Sequence, residues 1–206
     1  MLKQFRIKST VIASLVLAVL CCGQDMWLAE ADRLAPLLNW QKGDVVAEIG
    51  AGAGKFTVLA SERVGPTGKI YSTELDEKSL ANLNALAEKN TNIVVVNAAE
   101  TETNLPPACC DSIFMRDVYH HFTKPDEMDR SLFRSLKRGG LLAVIDMNPR
   151  AGTTVPDGVP ANREGHGIPQ KLLIKELTDA GFVLEKVDSS WPNRDLYCVV
   201  FRKPKQ

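Results

Sequence analysis

An excess of charge of either sign is missing from this chain. Twenty-five Lys and Arg balance 25 Asp and Glu across 206 residues, and no tract interleaves basic with aromatic side chains, which argues against a nucleic-acid surface. The basic end, residues 202–206, reads as a solvated tail. Internal repeats, low-complexity segments and an interdomain linker are also absent, leaving a single enzyme-sized domain. Cysteine is too sparse for a disulfide scaffold. Cys21 and Cys22 lie near the N-terminus, and Cys109, Cys110 and Cys198 form an odd set. Adjacent Cys109 and Cys110 are expected to be poorly placed to pair, so free thiols are expected, with a bridge from either to Cys198 left open.

Residues 11–20 form an uncharged, mostly apolar stretch, shorter than the about 20 residues a membrane-spanning helix needs. Lys3, Arg6 and Lys8 precede it, an arrangement found in secretory signals. Cleavage is expected after Gly23, with Cys21 and Gly23 as the small residues of the site. The chain thus divides into residues 1–23, a signal peptide or N-terminal anchor, and a domain of residues 24–206. The expected location is outside the cytoplasm, periplasmic, secreted or anchored by this segment, which is then the only membrane contact. A first buried helix in a cytoplasmic protein is the alternative. A lipoprotein cysteine at 21 or 22 fits less well, because Leu20 or Cys21 would precede it.

Residues 45–60 carry the most information. Val45, Val46, Ala47 and Ile49 fit a strand buried on both faces. Gly50, Gly52 and Gly54 then allow a sharp turn and a close ligand approach before a helix begins. A dinucleotide fingerprint counted from Gly50 needs glycine where Lys55 stands, and a phosphate loop of the Walker type needs glycine where Ile49 stands. What remains is acid-x-Gly-x-Gly-x-Gly from Glu48 to Gly54.

Later segments continue an alternation of strands and helices. Residues 68–76 read as a second strand ending in Glu74, 92–100 as a third, 110–117 as a fourth, and 139–149 as a fifth after a glycine pair that ends a helix. Helical stripes are expected over 26–38, 80–87, 128–136 and 170–180, and two further strands over 182–187 and 196–201. The predicted architecture is an α/β, Rossmann-like, seven-stranded mixed sheet with helices on both faces and an antiparallel terminal strand.

The Glu48–Gly54 loop and this series of strand ends resemble the class I S-adenosylmethionine-dependent methyltransferases, from about Trp27 to the C-terminus. The likeness is greatest to a bacterial small-molecule group with a DVYHHF-type fourth strand. It implies S-adenosylmethionine as cofactor and transfer of its methyl group to an unidentified small-molecule acceptor. It also implies cofactor contacts from Glu48, near the methionine amino group, and from the loop Gly50, Ala51, Gly52 and Gly54. Glu74 would hold the ribose, Leu75 the adenine face, and Ala99 and Glu100 the adenine edge, with Asp117 at the end of the fourth strand. Relatives often carry Gly-Asp-Ala where this chain has Asn97, Ala98 and Ala99, so an acid that reads the adenine amino group is replaced or supplied by Glu100 or a backbone carbonyl. A non-catalytic binding protein of the same fold and an NAD-type oxidoreductase are the alternatives. Export would separate the enzyme from cytosolic S-adenosylmethionine.

The mouth of the fourth strand carries the catalytic candidates. A methyl acceptor that must lose a proton needs a base, and His121, with His120 second, stands four residues past Asp117. A histidine can equally cap or pack. His166, in the segment before the last long helix, is a further candidate. Cys109, Cys110, His120 and His121 do not match zinc-ligand spacing, so no metal site is expected.

Overall fold

A computed structural model describes residues 26–205; the expected signal segment, residues 1–23, lies outside them. A helix over residues 26–37 (α1) precedes β1 (Val45–Ile49), α2 (Lys55–Val64), β2 (Lys69–Glu74), α3 (Glu77–Ala87) and β3 (Ile93–Asn97). After β4 (Cys110–Arg116) come α4 (Pro125–Ser135), β5 (Leu136–Asp146), α5 (Gln170–Asp179), β6 (Val183–Asp188) and β7 (Tyr197–Arg202). No helix among the described residues is long and apolar enough to cross a membrane.

The strands form one seven-stranded sheet in the order β3-β2-β1-β4-β5-β7-β6, in which β7 alone runs against its two neighbours. Both faces are covered, because the side chains alternate with the two-residue period of a strand. Val46, Phe114, Ala143 and Val200 meet Leu34 of α1 and Phe56 and Ala60 of α2. Ala47, Ile113, Met115, Val144 and Val199 meet Met128 and Leu132 of α4 and Leu173 and Leu177 of α5. From β1 the chain goes outward to β2 and β3, then returns to the other side of β1 as β4. A crevice opens where that order reverses, at the carboxyl ends of β1 and β4.

One local expectation is corrected. The glycine pair does not end a helix: α4 stops at Ser135, and Gly139 and Gly140 lie within β5. Cys110 faces Leu136 but Ser112 faces Leu141, so the strand bulges there; a Cβ on Gly140 would stand 2.8 Å from the Asp111 carbonyl oxygen, which leaves glycine as the residue that fits. Cys109, Cys110 and Cys198 are free thiols, the first two with their sulfurs 2.8 Å apart. Cys109 precedes the strand, so the pleat does not send the two side chains to opposite faces. Cys110 and Cys198 pack on opposite faces of the sheet, which rules out a bridge between them.

Candidate active site

The three glycines of the β1–α2 loop have three different reasons. A Cβ on Gly50 would stand 2.6 Å from Val118 of the neighbouring strand end, and one on Gly54 would stand 2.4 Å from Leu86 and 2.9 Å from Leu83 of α3. Gly54 therefore allows α2 and α3 to pack, rather than making room for a ligand. Gly52, at φ +52°, has nothing within 4 Å of its Cβ position and faces the crevice. Its N–H donates to Glu74 Oε2 at 2.8 Å, and the Leu75 N–H donates to Glu74 Oε1 at 2.7 Å. The Ala51 N–H donates to the Thr73 carbonyl at 2.9 Å. The loop is thus pinned to the end of β2.

Glu48, on β1 beneath the loop, is buried and accepts a hydrogen bond from the Thr57 hydroxyl on α2. Thr57 in turn lies 2.8 Å from Ser72 Oγ. Burial pushes the Glu48 carboxyl up to about 8; Thr57 and Arg116 pull it back and nearby Glu74 raises it further. Arg116 is held by Glu30 of α1, Nε to Oε2 at 2.8 Å, with its guanidinium 4.2 Å from the centre of the Trp27 ring. That contact brings α1 over the crevice.

Two cavities adjoin at Gly50 and Val118. The smaller, about 280 Å³, is lined by Trp27, Glu48, Ala51, Gly52 and Asp117. The larger, about 380 Å³, is lined by Glu74, Leu75, Ala99, Glu100 and His121 among others. Gly54 is absent from both. Thr73 Oγ1, on the wall of the larger, is buried and has no hydrogen-bond partner among the described residues. Asp117 sits at φ +62°, where its N–H donates to the Ile145 carbonyl and turns the chain off β4.

That turn feeds a single 3₁₀ turn, Tyr119–His121, which separates the two adjacent histidines. His120 is 1% exposed and points inward. Its Nδ1 lies 2.7 Å from Asp146 Oδ1, and its N–H donates to Asp146 Oδ2 at 3.2 Å. Its Nε2 lies 3.1 Å from His166 Nε2. His121 is exposed on the cavity wall, its ring centre 4.0 Å from that of His120. Burial and the neighbouring imidazoles hold its pKa below the ordinary histidine value. The sequence missed Asp146, read there only as part of the fifth strand. The signal for it was its place at the carboxyl end of that strand, level with the other site residues.

His166 comes from the long connection between β5 and α5, residues 147–169. The base of this loop is closed by the Ile168 N–H to the Met147 carbonyl at 2.9 Å and by Tyr197 Oη to the Ile168 carbonyl at 2.9 Å. Thr153 Oγ1 accepts the His166 N–H at 2.9 Å, and the His166 carbonyl accepts the Arg150 N–H at 3.1 Å. The backbone at His166 is therefore held on both sides.

A doubly wound sheet with a glycine loop, a buried acid beneath it and an acid at the end of the next strand defines a nucleoside-binding α/β domain. Residues 47–144 match the family described as Methyltransferase domain. The ubiquinone/menaquinone biosynthesis C-methyltransferase UbiE of Pasteurella multocida is 30% identical over 115 residues, covering 52% of this chain and 41% of that protein. A protein-L-isoaspartate O-methyltransferase of Ignicoccus hospitalis is 28% identical over 148 residues, covering 69% and 63%. The chain thus spans less than two thirds of the length of these curated relatives. Among solved structures, a SAM-dependent methyltransferase from Aquifex aeolicus superposes with a TM-score of 0.70 at 24% identity, covering 86% of this chain and 91% of that one. Aeropyrum pernix fibrillarin, solved with natively bound S-adenosyl-L-methionine, superposes at 0.61 and 18% identity, covering 85% and 76%. Residues 47–144 thus match a methyltransferase domain, and the sheet that carries them has the fold of the class I S-adenosylmethionine-dependent methyltransferases.

Proposed function

We propose that this protein transfers a methyl group from S-adenosylmethionine to a small-molecule acceptor held against His121. The observation that carries the reading is the Glu74–Gly52 pair, a carboxylate fixed at the rim of open space above the one glycine whose missing side chain faces the crevice. The residues present fit the cofactor. Glu74 offers a carboxylate for the ribose hydroxyls, Leu75, Ala99 and Glu100 wall the adenine end, and Thr73 Oγ1 is a polar atom still lacking a partner. Glu48 and Asp117 line the smaller cavity, where the methionine amino group would stand.

When bound, the cofactor supplies an electrophilic methyl group on a sulfonium. The protein's share is alignment and exclusion of water, and orientation alone can be worth about 7–11 kcal/mol. Of the two adjacent histidines, His121 faces the cleft, whereas His120 is buried between Asp146 and His166. Calorimetric titration with S-adenosylmethionine and with NAD tests the cofactor, and only the first is expected to bind. A screen of thiols, phenols and amines with radiolabelled cofactor then supplies an acceptor, for which His121→Ala should lower turnover while leaving cofactor affinity intact. Binding of NAD instead would overturn the reading.

Export through residues 1–23 belongs to the same proposal, supported by the basic residues ahead of a short apolar run. N-terminal sequencing from the native host should find a chain beginning near Gln24. An intact Met1 in a cytosolic fraction would refute export.

A further inference from the structure

The histidine cluster has a geometry that two hydrogen-bonded imidazoles do not need. One ring nitrogen or the other from each of His120, His121 and His166 lies within 4.8 Å of those of the other two, although the three residues belong to two distant segments. A tetrahedral ion with metal–nitrogen bonds of 2.0–2.1 Å sets its ligand nitrogens about 3.3 Å apart. His120 Nε2 and His166 Nε2 are already 3.1 Å apart. The remaining closure falls to His121, the exposed member of the three.

Asp146 decides what His120 presents. Its two oxygens take the His120 ring at Nδ1, the His120 N–H and, at 2.7 Å, the Met147 N–H. A carboxylate on Nδ1 fixes the proton there and turns the Nε2 lone pair outward, toward His166. This is the arrangement in which a carboxylate orients a metal-bound imidazole. With its oxygens occupied, Asp146 is the orienting group and not a ligand, which sets aside the other grouping of Asp117, His120 and Asp146.

We propose that His120, His121 and His166 bind one divalent transition-metal ion of the zinc class, with a fourth position open to the cleft beside His121. A set of three imidazoles selects zinc, copper, nickel or cobalt over magnesium and calcium, which prefer oxygen. Three protein ligands and one open position are what a catalytic rather than a structural site leaves. Combined with the methyl-transfer reading, on which this part rests, the open position favours acceptors that coordinate through a hydroxyl, phenol or thiol, whose ionisation a metal promotes. The thiols of Cys109 and Cys110 enter from the opposite end of β4 and take no part.

The test uses the full chain, stripped with EDTA, dialysed and titrated with Co²⁺. A visible d–d absorption should saturate at one ion per chain, without the near-ultraviolet sulfur-to-cobalt band that cysteine ligation adds, and Zn²⁺ should abolish it. His166→Ala and His121→Ala should each weaken binding at least 100-fold, and Asp146→Asn about 10- to 100-fold, with circular dichroism confirming that each variant folds. No saturable band, a thiolate band, or unchanged binding by a folded His166→Ala would overturn the site. Titration of the same metal-free sample with S-adenosylmethionine separates the two readings. Cofactor binding without a cobalt band sinks the metal site alone, and a cobalt band without cofactor binding sinks the methyltransferase reading alone.

Discussion

Glu74 and Gly52, 22 residues apart, are joined by one hydrogen bond of 2.8 Å that ties the end of β2 to the glycine loop. The same carboxylate accepts the Leu75 N–H at 2.7 Å, so it reaches the crevice already oriented. Glu74→Ala should weaken S-adenosylmethionine by about 1.5–3 kcal/mol, the scale of hydrogen bonds to a charged group. Asp76→Ala is the contrast. Asp76 caps α3 by accepting the Ser79 N–H, so its loss should lower stability and leave affinity nearly unchanged. Calorimetry and urea unfolding on both variants separate the roles, and an exchange of the two outcomes would mean that Asp76 holds the ribose.

Gly52→Val places a branched side chain in the open space above the loop. The positive φ adds strain of about 1–2 kcal/mol, small enough for the domain to fold because nothing stands within 4 Å of the new Cβ. Cofactor binding should disappear. Affinity within about threefold of the parent, roughly 0.65 kcal/mol, would show that the ligand does not approach this face of the loop.

Glu48 makes stability depend on pH. Its carboxyl is pushed by burial from 4.5 to about 8, with Glu74 and Arg116 as the charged neighbours acting in opposite directions. Between those values the folded chain keeps a proton that the unfolded chain has released, so stability falls as pH rises through that window and levels off above it. The slope approaches about 1.4 kcal/mol per pH unit at its steepest. Glu48→Gln should remove this contribution, which urea midpoints of both proteins from pH 5 to 9 would reveal. A cationic amino group bound beside Glu48 favours its ionised form, so cofactor binding at pH 7 should release a proton and give a heat that varies with the buffer. Parallel pH curves for the two proteins would rule out the raised pKa.

What the sequence made legible is what lies consecutively along it. Glu48 to Gly54 spans one strand end and one turn, and Glu74 ends the next strand, so residue type and spacing sufficed to place both. The role of Gly54 was not legible, because Leu83 and Leu86 meet it only when α3 docks. Nor was the histidine cluster. His120 is 26 residues from Asp146 and 46 from His166, and only the pairing of β4 with β5, followed by the return of a long loop, brings the three together. The pair Gly139 and Gly140 misled for a related reason: a bulge and a helix end both call for glycine, and tertiary pairing chooses between them.

Arg163 tests how that loop is held. It is fully buried three residues before His166, with Nη1 2.6 Å from Glu176 Oε1 and its guanidinium 5.7 Å from the centre of the Tyr119 ring. Tyr119 Oη also lies 2.8 Å from Asp129 Oδ2 and 3.0 Å from Glu176 Oε2, and burial pushes the Asp129 carboxyl up to about 7. Arg163 is therefore the cation that compensates a pair of poorly solvated carboxylates. Arg163→Ala should destabilise the domain by about 3–5 kcal/mol, the range for removing one partner of a buried ion pair. Adding Glu176→Gln to an Arg163→Met background should recover much of the loss, since it removes the charge left without a partner. Because Arg163 and the Ile168–Met147 closure fix the loop on either side of His166, the Ala variant should also weaken Co²⁺ binding at the cluster even where it remains folded. Urea unfolding of the two variants decides the matter: a loss below about 1 kcal/mol for Arg163→Ala, in the range of an exposed pair, would show that the loop is anchored by its backbone hydrogen bonds and not by this arginine.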